Sequence, residues 1–439
     1  MDLTTGQNLL KEKKFFLDKK YFEKLLNLNP NRFEINFYLG RVYSELLDST
    51  NSIKYYKRYL EFNENSINCL INLGIIYLNI GDIINSEKTF RKILNLNKKN
   101  VTAFNGLFML SQELLKEKDF DYLENILSDD KEISLNDKSI IYFLLSKNER
   151  KKKNIQKELT YLKNYHLQSF NSNLQYNNQS IFFYKNFLGK FNNKINYINN
   201  YSLKELKPIF IIGLPRSGST LIESILTSGD VKIKTYGESN FINSAVIDQI
   251  KDKIFKKDFE IENIDLKIDL SKIVEFLKDR YSFKNNRLNK EFFIDKSLEN
   301  VFNIELILKI FPGAKFIHSK RKLKDAILSI YFSMLPELSW TLSMDTIKDY
   351  VNKYEKIVVH YKKKFPEKIL DIDLDEFTSN PNLISKEIYD FCCLSWNKKY
   401  LNFYNRKNLF SKTLSSTQIR KQISKQNQSN YSNYYFLLD

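Results

Sequence analysis

The sequence predicts two architectures in one chain, an all-α helical repeat followed by an α/β domain with a mostly parallel sheet and a phosphate-loop-like turn. Three observations carry that expectation. The first hundred residues superpose on themselves at a shift of 34 residues. A β-branched and aromatic run, Pro208 to Leu214, leads through a glycine-rich turn directly into a helical apolar pattern. Further strand-like runs near 233–237, 292–296, 315–320 and 368–373 alternate with helical stretches, as in a parallel sheet covered by helices. The expected division is a helical repeat over 1–150, a helical and polar linker over 151–205, and the α/β domain over 206–439.

In the repeat, Phe22, Tyr56 and Phe90 coincide, as do Leu26, Leu60 and Leu94, then Leu28, Phe62 and Leu96, then Asn29, Asn63 and Asn97. Leu39-Gly40-x-x-Tyr43 returns as Leu73-Gly74-x-x-Tyr77, and Leu107 continues the series. Apolar residues at helical spacing mark the buried faces, and a glycine lets two helix backbones approach closely. Each unit reads as a helix pair. This resembles the tetratricopeptide repeat over about residues 5 to 115, which implies a stacked superhelix whose concave side holds a protein partner or a second copy, or packs on the rest of the chain. Helical patterns such as Phe120, Leu123, Ile126 and Leu127 extend beyond it.

The most informative segment is Gly213-Leu-Pro215-Arg216-Ser217-Gly218-Ser219-Thr220, with Leu221-Ile222-Glu223-Ser224-Ile225-Leu226 after it. A strand, tight turn and helix bring several backbone N–H groups and the positive end of a helix dipole to one point, where a phosphate is well held. The spacing equals that of a nucleotide triphosphatase loop, but Ser219 stands where that loop has its Lys, and the cation lies inside the turn at Arg216. A second strand, Lys315 to Lys320, ends at Arg321, and Ser329 follows eight residues on, about two helical turns away.

The loop resembles the 5'-phosphosulfate loop of sulfotransferases, in particular tyrosylprotein sulfotransferases and bacterial fusions of tetratricopeptide repeats with a sulfotransferase domain, over about residues 206 to 425. The resemblance implies the cofactor 3'-phosphoadenosine 5'-phosphosulfate, with Pro215, Arg216, Ser217, Gly218, Ser219 and Thr220 at its 5' end and Arg321 and Ser329 at its 3'-phosphate. Where the family more often has Arg-Asp-Pro, this chain has Arg321-Lys322-Leu323. Ser415, Ser416 and Arg420, in Leu414 to Lys421, match a segment that closes over the nucleotide.

Sulfuryl transfer needs a base for the acceptor proton and positive charge at the bridging oxygen. Arg216 is the loop cation, and Lys296, at the end of Phe292 to Ser297, is the second. Glu238, in Gly237-Glu238-Ser239, is the expected base; the family carries Gly-Glu-Glu there and uses the second Glu, so the match is displaced by one position. Strand alternation turns Asp295 away from Lys296. His318 precedes the 3'-phosphate Arg and is rejected as the base.

Composition narrows the alternatives. The formal charge of +17 suits an anionic cofactor, but the lysines are spread over the whole chain and no nucleic-acid motif accompanies them. No apolar run approaches the roughly 18 residues of a membrane span, and the N-terminus lacks the basic-then-apolar order of a signal peptide. Cys69, Cys392 and Cys393 form no disulfide framework, and His166, His318 and His360 lack metal-ligand spacing, so a cytoplasmic protein with no metal is expected. The leading reading is a sulfotransferase acting on a hydroxyl or amine of a protein, possible tyrosine included, of a glycan or of a small molecule. A Mg-ATP-dependent kinase with an unusual loop and a non-catalytic repeat scaffold are the alternatives.

Overall fold

The structure is a computed structural model that describes residues 2–129, 133–186, 195–254, 266–281, 292–406, 411–413, 418–424 and 431–439. Its N-terminal helices come in pairs: α1 (Leu3–Lys11) with α2 (Phe15–Leu28), α3 (Glu34–Glu45) with α4 (Ser49–Phe62), and α5 (Ile67–Ile80) with α6 (Ile83–Leu96). The 34-residue period reappears in the bonding. Asp48 and Asp82 cap α4 and α6 by accepting from Asn51 N and Asn85 N, each at 3.1 Å. Ser52 and Ser86 donate to the carbonyls of Gly40 and Gly74 at 2.7 and 2.8 Å. A Cβ on Gly40 would lie 2.6 Å from the Tyr56 ring, and one on Gly74 would lie 2.9 Å from Phe90. The aromatic side chain of one helix therefore fills the space that glycine opens on its partner.

The helical region continues through α7 (Val101–Leu110), α8 (Glu117–Asp129), α9 (Leu135–Lys151), α10 (Ile155–Ser172) and α11 (Leu174–Asn186). The first compact unit comprises Met1–Ile181 together with Tyr331–Ile347 and Lys412–Thr417. The later segment is bound within it: His166 Nε2 donates to Tyr331 O at 3.0 Å, and Ser339 Oγ donates to Asn177 Oδ1 at 2.7 Å. Burial pushes His166 down to about 3, so it serves as a neutral donor.

The second unit comprises Phe182–Ile330, Lys348–Ser411 and Gln418–Asp439. Its elements are β1 (Ile195–Ile198), β2 (Ile209–Gly213), α12 (Ser219–Leu226), β3 (Lys234–Thr235), α13 (Phe241–Ile254), β4 (Leu266–Asp269), α14 (Leu270–Arg280) and β5 (Phe293–Asp295). They continue with α15 (Ile304–Ile310), β6 (Lys315–Lys320), α16 (Leu323–Tyr331), α17 (Met344–Lys364), β7 (Ile369–Asp373), α18 (Leu374–Ser379) and α19 (Pro381–Phe391). Five strands form a parallel sheet in the order β3-β5-β2-β6-β7, each near an expected strand. The small parallel pair β1 and β4 was not expected from sequence.

All five residues of β2 are buried, because helices cover both faces of the central strand. On one face Ile209 and Ile211 join Ile222 and Ile225 of α12 and Ile388 of α19. On the other, Phe210 stacks on Phe316 at 5.5 Å. Among the described residues no helix is long and apolar enough to cross a membrane.

One repeat position breaks the pattern. Asp18 lies 34 residues before Ser52 and 68 before Ser86, yet it is fully buried and neither carboxylate oxygen has a hydrogen-bond partner. An ionised Asp cannot donate as those serines do. Burial pushes its carboxyl up to about 7, with the charge of Arg41 offsetting part of the effect. Because the folded value lies above the unfolded one, the stability linked to Asp18 is present in acid and is lost as pH rises toward 7. Asp18→Ser should restore the repeated bond and stabilise the helical unit by on the order of 2–4 kcal/mol at pH 8 while changing little near pH 4, as read from urea unfolding at the two pH values.

Candidate active site

The loop between β2 and α12 is shaped by close backbone contact. Gly213 pairs in register with Ser319 of β6, and a Cβ on Gly213 would lie 2.5 Å from Ser319 O. Ser319 Oγ donates to Ser217 O at 2.7 Å, and Ser217 Oγ donates to Leu214 O at 2.6 Å, so the turn is tied both to itself and to the next strand. Arg216 and Gly218 take left-handed backbone conformations at φ +67° and +99°, and α12 begins at once with buried Ser219 and Thr220. Pro215 leads into the reversal with its φ fixed by the ring.

Basic groups gather at this end of the sheet. Arg321 follows the last residue of β6, and its positive charge helps burial to lower the pKa of Arg216, while Tyr431 acts in the opposite direction. Two guanidinium groups thus lie close enough to repel. Ser329 is buried on α16. Tyr435 donates to Asp325 Oδ1 of the same helix at 2.8 Å and lies under the ammonium groups of Lys322 and Lys324, a C-terminal contribution that no sequence motif announced. Ile419 is buried in the cluster that includes Ile222 and Ile225, so its neighbour Arg420 is anchored beside the packing of α12. Ser415 and Ser416 lie outside the described residues.

One strand away, Lys296 leaves the end of β5. It is fully buried, and its Nζ lies 2.6 Å from Glu238 Oε1 and 3.7 Å from Glu223 Oε2. Burial alone would lower the Lys296 pKa, but the two carboxylates overcome it and raise the value. Glu238 is exposed on the turn after β3. That turn is fastened to β5: Lys296 N donates to Gly237 O at 2.9 Å, and Asn240 N donates to Ser297 Oγ at 2.7 Å.

Asp295 faces away from this ammonium. It accepts from Ser239 Oγ at 3.0 Å, Ser297 N at 2.8 Å, Asn300 Nδ2 at 3.0 Å and the Tyr281 hydroxyl. His318 is held between Asp371, at 2.9 Å from Nδ1, and the Tyr354 hydroxyl at Nε2, so both ring nitrogens serve a buried brace. Glu223 was missed from sequence because it reads as one polar position in the apolar pattern of α12.

The arrangement can bind a polyanion at the β2 and β6 ends and supply an exposed carboxylate beside a buried ammonium at the β5 end. Comparison with known proteins gives a family match for each of the two regions. Residues 208–398 match the model of the sulfotransferase family, and residues 67–100 match that of the tetratricopeptide repeat. The chain thus carries a sulfotransferase-family domain behind a tetratricopeptide-repeat region. An uncharacterized protein of Aquifex aeolicus (strain VF5) is 31% identical over 228 residues, which are 49% of this chain and 29% of that protein. The alignment therefore spans less than a third of that relative's length. Among solved structures, the sulfotransferase domain from the Synechococcus PCC 7002 olefin synthase is 15% identical, with 54% of this chain and 90% of that one covered at a TM-score of 0.35. The sulfotransferase STF1 from Mycobacterium tuberculosis H37Rv is 9% identical, with 70% and 98% covered at a TM-score of 0.31. Both are distant likenesses.

Gly213→Ala tests the close approach that shapes the loop. The added methyl must push backbone against backbone between β2 and β6, and the expected loss is about 1–3 kcal/mol in thermal or urea unfolding of the α/β unit.

Proposed function

We propose that the α/β unit transfers a sulfuryl group from 3'-phosphoadenosine 5'-phosphosulfate to a hydroxyl or amine acceptor. The observation that carries this reading is the pairing of two features at the C-terminal edge of one parallel sheet. A hydroxyl-rich loop that carries Arg216 follows β2, Arg321 follows β6 on the neighbouring strand, and the Lys296–Glu238 pair lies at the end of the adjacent β5. Ligands bind at that edge in open α/β sheets, and the family match of residues 208–398 points the same way.

The donor set fits a nucleotide that carries phosphates at both ends of its ribose. Residues Pro215 to Thr220 would hold the 5' end with backbone N–H groups and hydroxyls, and Arg321 with Ser329 would hold the 3'-phosphate. Arg420 would contribute a further cation to the nucleotide. When bound, the phosphosulfate supplies the activated sulfuryl group. Glu238, exposed to an incoming acceptor, would take its proton, while Lys296 and Arg216 would present positive charge where negative charge grows.

Tyrosine in a protein is the acceptor suggested by the resemblance to tyrosylprotein sulfotransferases, with glycan and small-molecule hydroxyls as the other candidates. The helical unit would recognise the acceptor or hold a protein partner or second copy, and a cytoplasmic setting suits the free cysteines.

A thermal-shift titration in EDTA with 3'-phosphoadenosine 5'-phosphate, run beside ATP with Mg2+, tests the cofactor. The bisphosphate at about 100 times its dissociation constant should add roughly 2.7 kcal/mol. A rise only with ATP and Mg2+ would instead make the protein a kinase, and no rise with either in folded protein would make it a scaffold. With a tyrosine peptide and p-nitrophenol as trial acceptors, Glu238→Gln should keep bisphosphate binding and lower transfer by about 10²–10⁴-fold. Arg321→Ala should weaken bisphosphate binding about tenfold or more.

A further inference from the structure

We propose that Glu223 is the permanent counter-ion of Lys296, a positioning residue that keeps this ammonium charged and in place while Glu238 changes its own charge during turnover. The inference rests on the sulfotransferase reading for the role of Glu238. The geometry itself belongs to this chain.

Lys296 is fully buried, and a buried ammonium without an opposing charge is strongly disfavoured. Its two carboxylates differ in kind. Glu238 contacts Lys296 at 2.6 Å with 55% of its side chain exposed, whereas Glu223 stands at 3.7 Å with 13% exposed. An incoming acceptor can meet the first and not the second. As base, Glu238 gains the proton of the acceptor hydroxyl; the acceptor oxygen forms the new bond to sulfur, and the electron pair of the broken S–O bond stays with the donor phosphate. The Glu238 carboxylate is then neutral, and Lys296 has lost the nearer of its two charges at the moment when its own charge is needed. Glu223 remains.

The surroundings of Glu223 fit a fixed charge. Thr235 Oγ1 donates to Glu223 Oε1, and the same hydroxyl oxygen accepts from Gly237 N at 3.1 Å, the residue before Glu238. Glu223 therefore links α12, which opens at the phosphate loop, to the turn that carries the base. The Glu223 pKa is raised on balance, by burial and by the Glu238 charge, while the Lys296 ammonium and the Thr235 hydroxyl oppose the rise; neutralising Glu238 removes one of the two raising influences and so favours the charged Glu223 when Lys296 needs it. Among the described residues, the titratable groups that face the Lys296 ammonium are Glu223 from α12 and Glu238 from the turn after β3. Asp295 is turned to its own donors, and the Tyr236 hydroxyl donates to Tyr281 O.

The test reads the protonation of Lys296 directly and needs no acceptor. Full-length protein labelled with [ε-13C]lysine is titrated by NMR between about pH 6 and 10, with the Lys296 signal assigned by its loss in Lys296→Arg. Glu238→Gln imitates the protonated base, and Lys296 should stay an ammonium at neutral pH in that variant. In Glu238→Gln combined with Glu223→Gln, the ratio of ammonium to free amine at pH 7 should fall about tenfold or more below that of Glu238→Gln alone. The proposal is overturned if Glu238→Gln by itself leaves Lys296 neutral at pH 7, or if the double variant titrates as Glu238→Gln does. The first criterion stands even where Glu223→Gln fails to fold, because Glu238 is exposed. Bisphosphate binding is measured on the same wild-type sample: its absence would reject the sulfotransferase reading, while the lysine titration would still judge the counter-ion.

Discussion

The C-terminal edge of the parallel sheet is organised around one electrostatic constraint, the complete burial of the Lys296 ammonium at the end of β5. An isolated charge in that position would cost several kcal/mol, so carboxylates must reach it from elsewhere. One comes from α12 and the other from the turn after β3, and these elements lie far apart in sequence from β5. Meeting the constraint fixes the two-residue strand β3 against β5 and holds the turn by the bonds from Lys296 N and Asn240 N. Asp295 braces the opposite side with four donors, one of them Ser239 of the same turn. Two neighbouring charged residues on one strand thus bind the same turn from two directions.

In the helical unit the governing constraint is steric and repeats. A glycine admits an aromatic ring, and a serine one turn earlier than that aromatic bonds the carbonyl of the same glycine. Gly6 with Phe22 carries the steric half of this device into the first repeat, where a Cβ on Gly6 would lie 2.3 Å from the ring. Asp18 shows that the polar half can vary while the packing is kept, because ring burial contributes more to the contact than one neutral hydrogen bond does.

How far this was legible in the sequence follows from the range of each interaction. The repeat was legible because its period is local and its side chains recur. The central strands were legible because β2 is buried on both faces and reads as an unbroken apolar run, and because Phe316-Ile317 of β6 runs into a basic strand end. The pair β1 and β4 was not, since Ile195-Asn-Tyr-Ile and Leu266-Lys-Ile-Asp are short and their partner strands are some 70 residues apart. Arg216 could be nominated from the loop that contains it, and Arg321 and Ser329 from their spacing together with the resemblance to sulfotransferases. Glu223 could not, because one acid in a helical pattern ordinarily faces water, and only the fold reveals that this one faces an ammonium.

The loop itself illustrates how one cation position can stand in for another. A lysine after Gly218 would have to leave from the first position of α12, where Ser219 is buried. This chain instead places its charge at Arg216, in a left-handed backbone conformation that disfavours a side chain by roughly 1–2 kcal/mol. Repulsion from Arg321 adds to that cost. Each is a cost that substitution would remove: an uncharged side chain at residue 216 would end the repulsion, and a glycine would end the strain. On the proposed function, a bound anion would turn the repulsion between the arginines into attraction of each to its charge. On that reading the offsetting interaction would come from the bound ligand and not from the fold.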